Sequence, residues 1–153
     1  MVRRIGAPAS DRGMTLIELL IVIGVIGALS FLLIPSFQSV VRGYDVQKDG
    51  WILLADIRGY REAAINEHVN YRFTFNLTQN SYTIEQRDAA TDALLKTIKT
   101  VQFTTDLTDG ATTTLKPTGE ATPTTTVILK GNNIPDQITI SIYASGLAKL
   151  TQS

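Results

Sequence analysis

The chain has 153 residues, with 14 basic and 14 acidic side chains, a formal net charge of zero and no cysteine. Such a length leaves one small soluble domain once an apolar N-terminal stretch is set aside. Zero net charge supplies no electrostatic footprint for nucleic acid or an acidic substrate, and the missing cysteines exclude a disulfide framework and a thiolate metal site.

Residues 1–13 are polar and carry Arg3, Arg4 and Arg12 against one acid, Asp11. From Met14 to Ile34 the sequence runs MTLIELLIVIGVIGALSFLLI. At about 1.5 Å per helical residue this is roughly 30 Å, the hydrocarbon thickness of a bilayer. Its apolar residues, at about −0.3 to −0.6 kcal/mol each, together outweigh the roughly +3 kcal/mol that one central charge costs, so Glu18 does not veto a span. The arginines precede the span, which by the positive-inside rule leaves the N-terminus in the cytoplasm and the bulk of the chain outside. A secretory signal peptide is the competing reading. Its apolar region runs about 7 to 15 residues and ends at a small-residue cleavage site, whereas this run is longer and continues as Pro35-Ser36-Phe37-Gln38.

A carboxylate inside an apolar span needs a partner, and Glu18 has no Lys or Arg within its own span. A cut between Gly13 and Met14 would create an α-amine able to pair with a carboxylate, its own or a neighbour's. The run Gly13-Met14-Thr15-Leu16-Ile17-Glu18-Leu19-Leu20, followed by an apolar helix and then Pro35, resembles the N-terminal signature of type IV pilins and of the pseudopilins of type II secretion systems. The resemblance implies a prepilin peptidase that cuts after Gly13 on the cytoplasmic face and methylates Met14. It further implies subunit assembly through Glu18, with Thr15 and Leu16 beside it, and a helix break at Pro35 near the membrane exit. Met14 stands where phenylalanine is commoner in that family.

Past Pro35, Phe37, Val40, Val41, Tyr44, Trp51, Leu54, Ile57, Ala64 and His68 recur at three- and four-residue steps, the spacing of one helical face. The helix is therefore expected to continue to about Asn70, with Trp51 and His68 as packing residues. Gly43, Gly50 and Gly59 weaken it by propensity, which calls for a sheet to support it.

From Tyr71 the period changes. Tyr71, Phe73, Phe75 and Leu77 share one face, Thr78 to Asn80 make a polar turn, and a second alternating run starts at Tyr82, so residues 71–87 read as a hairpin. Further strands are expected at about 97–103, 112–116, 124–130 and 137–143, with a last one near 147–151. Asp106 to Gly110 misses the spacing of a calcium loop and reads as a solvated turn. Asn76-Leu77-Thr78 matches a glycosylation sequon, a pattern with no weight outside a eukaryotic secretory context. The single His has no nucleophile motif beside it and no Gly-rich phosphate loop occurs, so neither enzyme activity, cofactor nor metal is expected.

Leu115-Lys116-Pro117-Thr118-Gly119 before a strand, then Ile138 to Ser145 leading into Gly146-Leu147-Ala148, resembles the heads of H-type minor pseudopilins and FimT-like minor pilins. The expected fold is α+β: a long N-terminal helix, membrane-spanning in its first half, packed against an antiparallel β-sheet head. The expected division is a leader at 1–13, a transmembrane helix at 14–35, an extracytoplasmic helix at 36–70 and a β head at 71–153. The resemblance implies a structural subunit of a pilus-like filament, a minor pseudopilin of a type II secretion system. The alternatives are a major or minor type IV pilin for adhesion, motility or DNA uptake, and a plain single-span membrane protein. Implied partners are the membrane, a prepilin peptidase/methyltransferase, other pilin or pseudopilin subunits and an inner-membrane assembly platform. The implied location is the bacterial inner membrane, crossed once, with the head in the periplasm or outside.

Overall fold

Helix α1 spans Leu16–Glu67 in a computed structural model that describes residues 15–131 and 136–152, leaving the side chains of 31–43 outside the description. The chain divides into two compact units, Met1–Gln38 and Ser39–Ser153. In the first, the described residues from Leu16 on are helical. The helix runs through position 35 without interruption, which corrects the expected break: a proline removes one N–H donor from a helix, and the loss of one bond does not end this one. It ends before the expected Asn70 because His68 takes φ 57°, the left-handed conformation that closes a helix.

The second unit holds the rest of α1 and nine strands. These are β1 (Asn70–Asn76), β2 (Ser81–Arg87), β3 (Leu94–Gln102), β4 (Asp106–Asp109), β5 (Thr113–Leu115), β6 (Ala121–Thr122), β7 (Thr125–Lys130), β8 (Gln137–Ile142) and β9 (Ala148–Gln152). They form two antiparallel sheets rather than one, ordered β3-β2-β1-β5-β6 and β4-β7-β8-β9. Alternation along β1 sends Tyr71, Phe73 and Phe75 inward, as the period-two pattern requires. Leu77, expected on the same face, falls in the turn and is exposed. Asn76 Oδ1 accepts the Gln79 N–H at 3.0 Å and Asn80 takes φ 47°, so the side chain of Asn76 closes the strand one residue sooner. The expected solvated turn at Asp106–Gly110 is likewise corrected: Asp106–Asp109 is β4, the edge of the second sheet, paired with β7 and burying Leu107.

The core is shared by α1 and both sheets. Tyr60 of α1 packs on Tyr71 and Phe73 of the first sheet, with ring centroids 5.0 and 6.1 Å apart. Gly50 lies against the second: a Cβ there would meet Ile138 Cγ2 at 3.1 Å and Leu150 Cδ1 at 3.2 Å. The glycine that weakens the helix by propensity is what lets it approach β8 and β9. With Gly50 inward, the buried stripe is Val46, Asp49, Gly50, Leu53, Leu54, Ile57 and Ala64. Trp51 is consequently turned outward, 57% exposed, and Tyr44 is 67% exposed. Neither packs in the core, nor does His68, which is exposed past the helix end.

Candidate processing and assembly site

Gly13 and Met14, the residues expected at the cut, lie outside the described residues. Thr15 comes immediately after them and is the helix N-cap. Its Oγ1 accepts the Glu18 N–H at 3.3 Å and its carbonyl accepts the Leu19 N–H at 3.1 Å, satisfying donors that a helix start leaves open. Glu18 stands three residues in, where a carboxylate is favoured by the helix dipole. Thr15, Leu16 and Glu18 thus share one exposed turn. The capping role was legible in the spacing Thr-x-x-Glu and was not drawn from it.

Behind this turn the apolar side chains point to every side of the helix and are exposed, among them Leu16, Ile17, Leu20, Ile23, Ile26 and Leu29. A helix apolar all round is not a structure for water; it requires lipid or protein around it. Among the described residues no helix is long and apolar enough to cross a membrane, and the expected span of 14–35 reaches past Ser30, where the description of side chains stops.

In the head, three polar features tie α1 to the strands. Asp49, only 4% exposed, receives the Thr104 N–H, the Thr105 N–H and the Thr105 hydroxyl on Oδ2 at 2.7, 3.0 and 2.9 Å, holding the β3–β4 connection on the helix. Asp56 accepts from the Tyr82 hydroxyl at 2.5 Å and from Lys99 Nζ at 2.8 Å. Burial first, then the hydrogen bond to Asp56, pushes the Tyr82 hydroxyl well above the usual tyrosine range, because both disfavour a phenolate. Tyr71 is shifted the same way by burial and by its hydrogen bond to Glu67.

The third feature explains two glycines of the head motif. Gly119, in the β5–β6 turn, and Gly146, in the β8–β9 turn, have φ values of 82° and 71°, where a side chain is strained. Arg61 Nε donates to the Gly119 carbonyl at 2.9 Å, and a Cβ on Gly146 would overlap that same oxygen and crowd Arg61 Nε at 2.7 Å. The Ala121 N–H donates to the Ala144 carbonyl at 3.1 Å. Turns from the two sheets are therefore clasped together over one arginine of α1. Among the described residues no three or more His, Asp or Glu gather to hold a metal.

The prokaryotic N-terminal methylation motif matches at residues 8–34. The solved structure of the minor pseudopilin EpsH from the type 2 secretion system of Vibrio cholerae superposes with a TM-score of 0.58 at 15% identity, over 70% of this chain and 96% of that one. The motif and the fold are both ones found in pilin-like proteins. No curated protein matches this chain by sequence, so the likeness to EpsH is one of fold. The motif is one of N-terminal methylation in prokaryotic proteins. The Thr15–Glu18 turn lies within the matched residues.

Proposed function

We propose that this protein is a minor pseudopilin of a type II secretion system. The observation that carries the reading is the combination, in one chain, of an N-terminal methylation motif with a pseudopilin fold. On this reading residues 1–13 are a leader, 14–35 anchor the chain once through the bacterial inner membrane with the N-terminus in the cytoplasm, 36–70 continue the helix outside it, and 71–153 form the head. Prepilin peptidase cuts after Gly13 and methylates Met14, and the assembly platform draws the subunit into a filament.

Glu18 then has a physical task. A carboxylate in hydrocarbon is costly alone, and a positive α-amine on a neighbouring subunit offsets that cost only when the two helices are in register. Thr15 and Leu16, in the same turn, flank the meeting point. Pro35 removes a helix hydrogen bond near the membrane exit, which leaves that stretch easier to bend on assembly.

Replacing Glu18 with Ala separates the assembly role from capping. Loss of an N3 carboxylate at an exposed helix start costs only about 0.3–1 kcal/mol, so Glu18→Ala is expected to remain membrane-associated and cleaved. Its recovery in the assembled fraction, compared by immunoblot of sheared or cross-linked filaments, is expected to fall at least about tenfold, the equivalent of about 1.4 kcal/mol of subunit contact. Undiminished assembly would leave Glu18 with its capping role alone.

A further inference from the structure

Strand β3, nine residues long, stands at one end of the first sheet, and among the described residues no strand pairs with its outer edge. The Phe103 N–H donates to the Asn80 carbonyl at 2.7 Å, and bonded and unbonded pairs alternate along an antiparallel ladder. By that alternation Thr100 and Gln102, opposite Thr83 and Ser81, turn their backbone N–H and C=O groups away from β2 and toward the open edge. At the other end of the strand Leu94 and Leu95 are 52% and 54% exposed. Beside them exposed Lys96 makes no ion pair among the described residues, whereas Lys99 is held by Asp56. The register against β2 shifts twice, between Ile84 and Glu85 and between Gln86 and Arg87. Lysines and bulges keep an open edge from joining its like. A lysine repels a basic strand and attracts an acidic one.

We propose that β3 docks an extended segment of a different protein, which joins the five-stranded first sheet at this edge with apolar side chains beside Leu94 and Leu95 and a carboxylate beside Lys96. A row of open backbone donors and acceptors calls for another strand, not for a helix or a lipid. A second copy of β3 is excluded in both orientations. Asp49 bonds to Thr104 and Thr105, Asp56 to Lys99, and Glu67 to Gln86, the partner of Lys96, so α1 runs alongside β3 in the opposite direction. Antiparallel pairing of two β3 strands would therefore reverse α1 from one copy to the other. Two subunits anchored in one membrane by the N-terminal end of that helix cannot be so related, a step that rests on the filament reading above. Parallel pairing of the two open edges would set Lys96 beside Lys96 and Lys99 beside Lys99, and like charges side by side destabilise a sheet.

The test uses the full chain purified in detergent and three synthetic peptides of about ten residues, the length of a long strand. One alternates valine and glutamate, the second valine and lysine, and the third is the first with every backbone amide N-methylated. The acidic peptide is expected to bind at least about tenfold more tightly than the lysine peptide, to slow hydrogen exchange at the Thr100 and Gln102 amides, and to lose binding when N-methylated. Lys96→Glu, at an exposed position, is expected to reverse the order of the two charged peptides. Thr100→Pro is expected to abolish binding by removing a donor from the open edge. Equal affinity for both charged peptides, retained binding of the N-methylated one, unchanged exchange at Thr100 and Gln102, or a dimer of this chain that Thr100→Pro dissolves would overturn the docking edge. The N-terminal mass of the same preparation reports on the filament reading separately: a chain that begins at Met14 but fails the peptide assay keeps that reading and loses this edge.

Discussion

Asp49 collects three hydrogen bonds on one buried oxygen. Truncating it leaves two backbone donors and a hydroxyl without an acceptor, at about 1–3 kcal/mol for each group left dry. Asp49→Ala is therefore expected to lose about 3 kcal/mol in chemical denaturation, and Asp49→Asn, which keeps an acceptor oxygen, distinctly less. Tyr82 makes a prediction with pH. Its folded pKa is raised above the ordinary 10.0, so its contribution is fully present below pH 10. Above that the unfolded chain sheds the proton while the folded chain keeps it, and stability falls with rising pH. Tyr82→Phe is expected to flatten this alkaline limb by about 1.4 kcal/mol per pH unit; an unchanged slope would mean that the hydroxyl titrates normally in the fold. The need for Asp49 was not legible in sequence, because a lone acid in a helix looks solvated until the loop that it holds is folded against it.

At the scale of elements, α1 shows why a periodic pattern does not by itself fix a buried face. Tyr44 and Trp51 together with Leu54, Ile57 and Ala64 fit the helical period, and so do Val46, Gly50, Leu53, Ile57 and Ala64. The choice is made by Gly50, whose missing side chain admits Ile138 and Leu150; read as a contact surface rather than a weak point, it would have pointed to the second stripe. The difference is measurable. Leu54, buried in the core, is expected to cost about 2–5 kcal/mol on truncation to alanine. Trp51→Ala is expected to stay within about 0.5 kcal/mol of the parent, when both are compared by denaturant unfolding. The β1–β2 hairpin and β7, β8 and β9 were visible because each alternates over several residues. Strand β4 was not: it has four residues with one buried apolar side chain, Leu107, too short for a period to appear among acids and threonines. The split into two sheets was hidden for a related reason. The chain crosses between them in short loops whose residues carry no pattern, and only the pairings of β5 with β1 and of β4 with β7 reveal it.

For the whole molecule, the sequence carried its strongest signal where it is least concerned with its own folding. Residues 13–35 join a glycine, a lone carboxylate and an apolar run, and the methylation motif covers most of that stretch. The likeness to EpsH is 15% in identity, and the head holds its fold through the inward positions of two sheets and the paired glycines over Arg61, which many sequences can satisfy. On the proposed reading, the exposed apolar helix is the part of the chain that meets lipid and other subunits. The most direct test of this account is the mass and N-terminal residue of the protein produced with and without a prepilin peptidase. The account predicts a chain beginning at N-methylated Met14 only when the peptidase is present; a full-length chain in both cases, or one cut after Ser36, would contradict it.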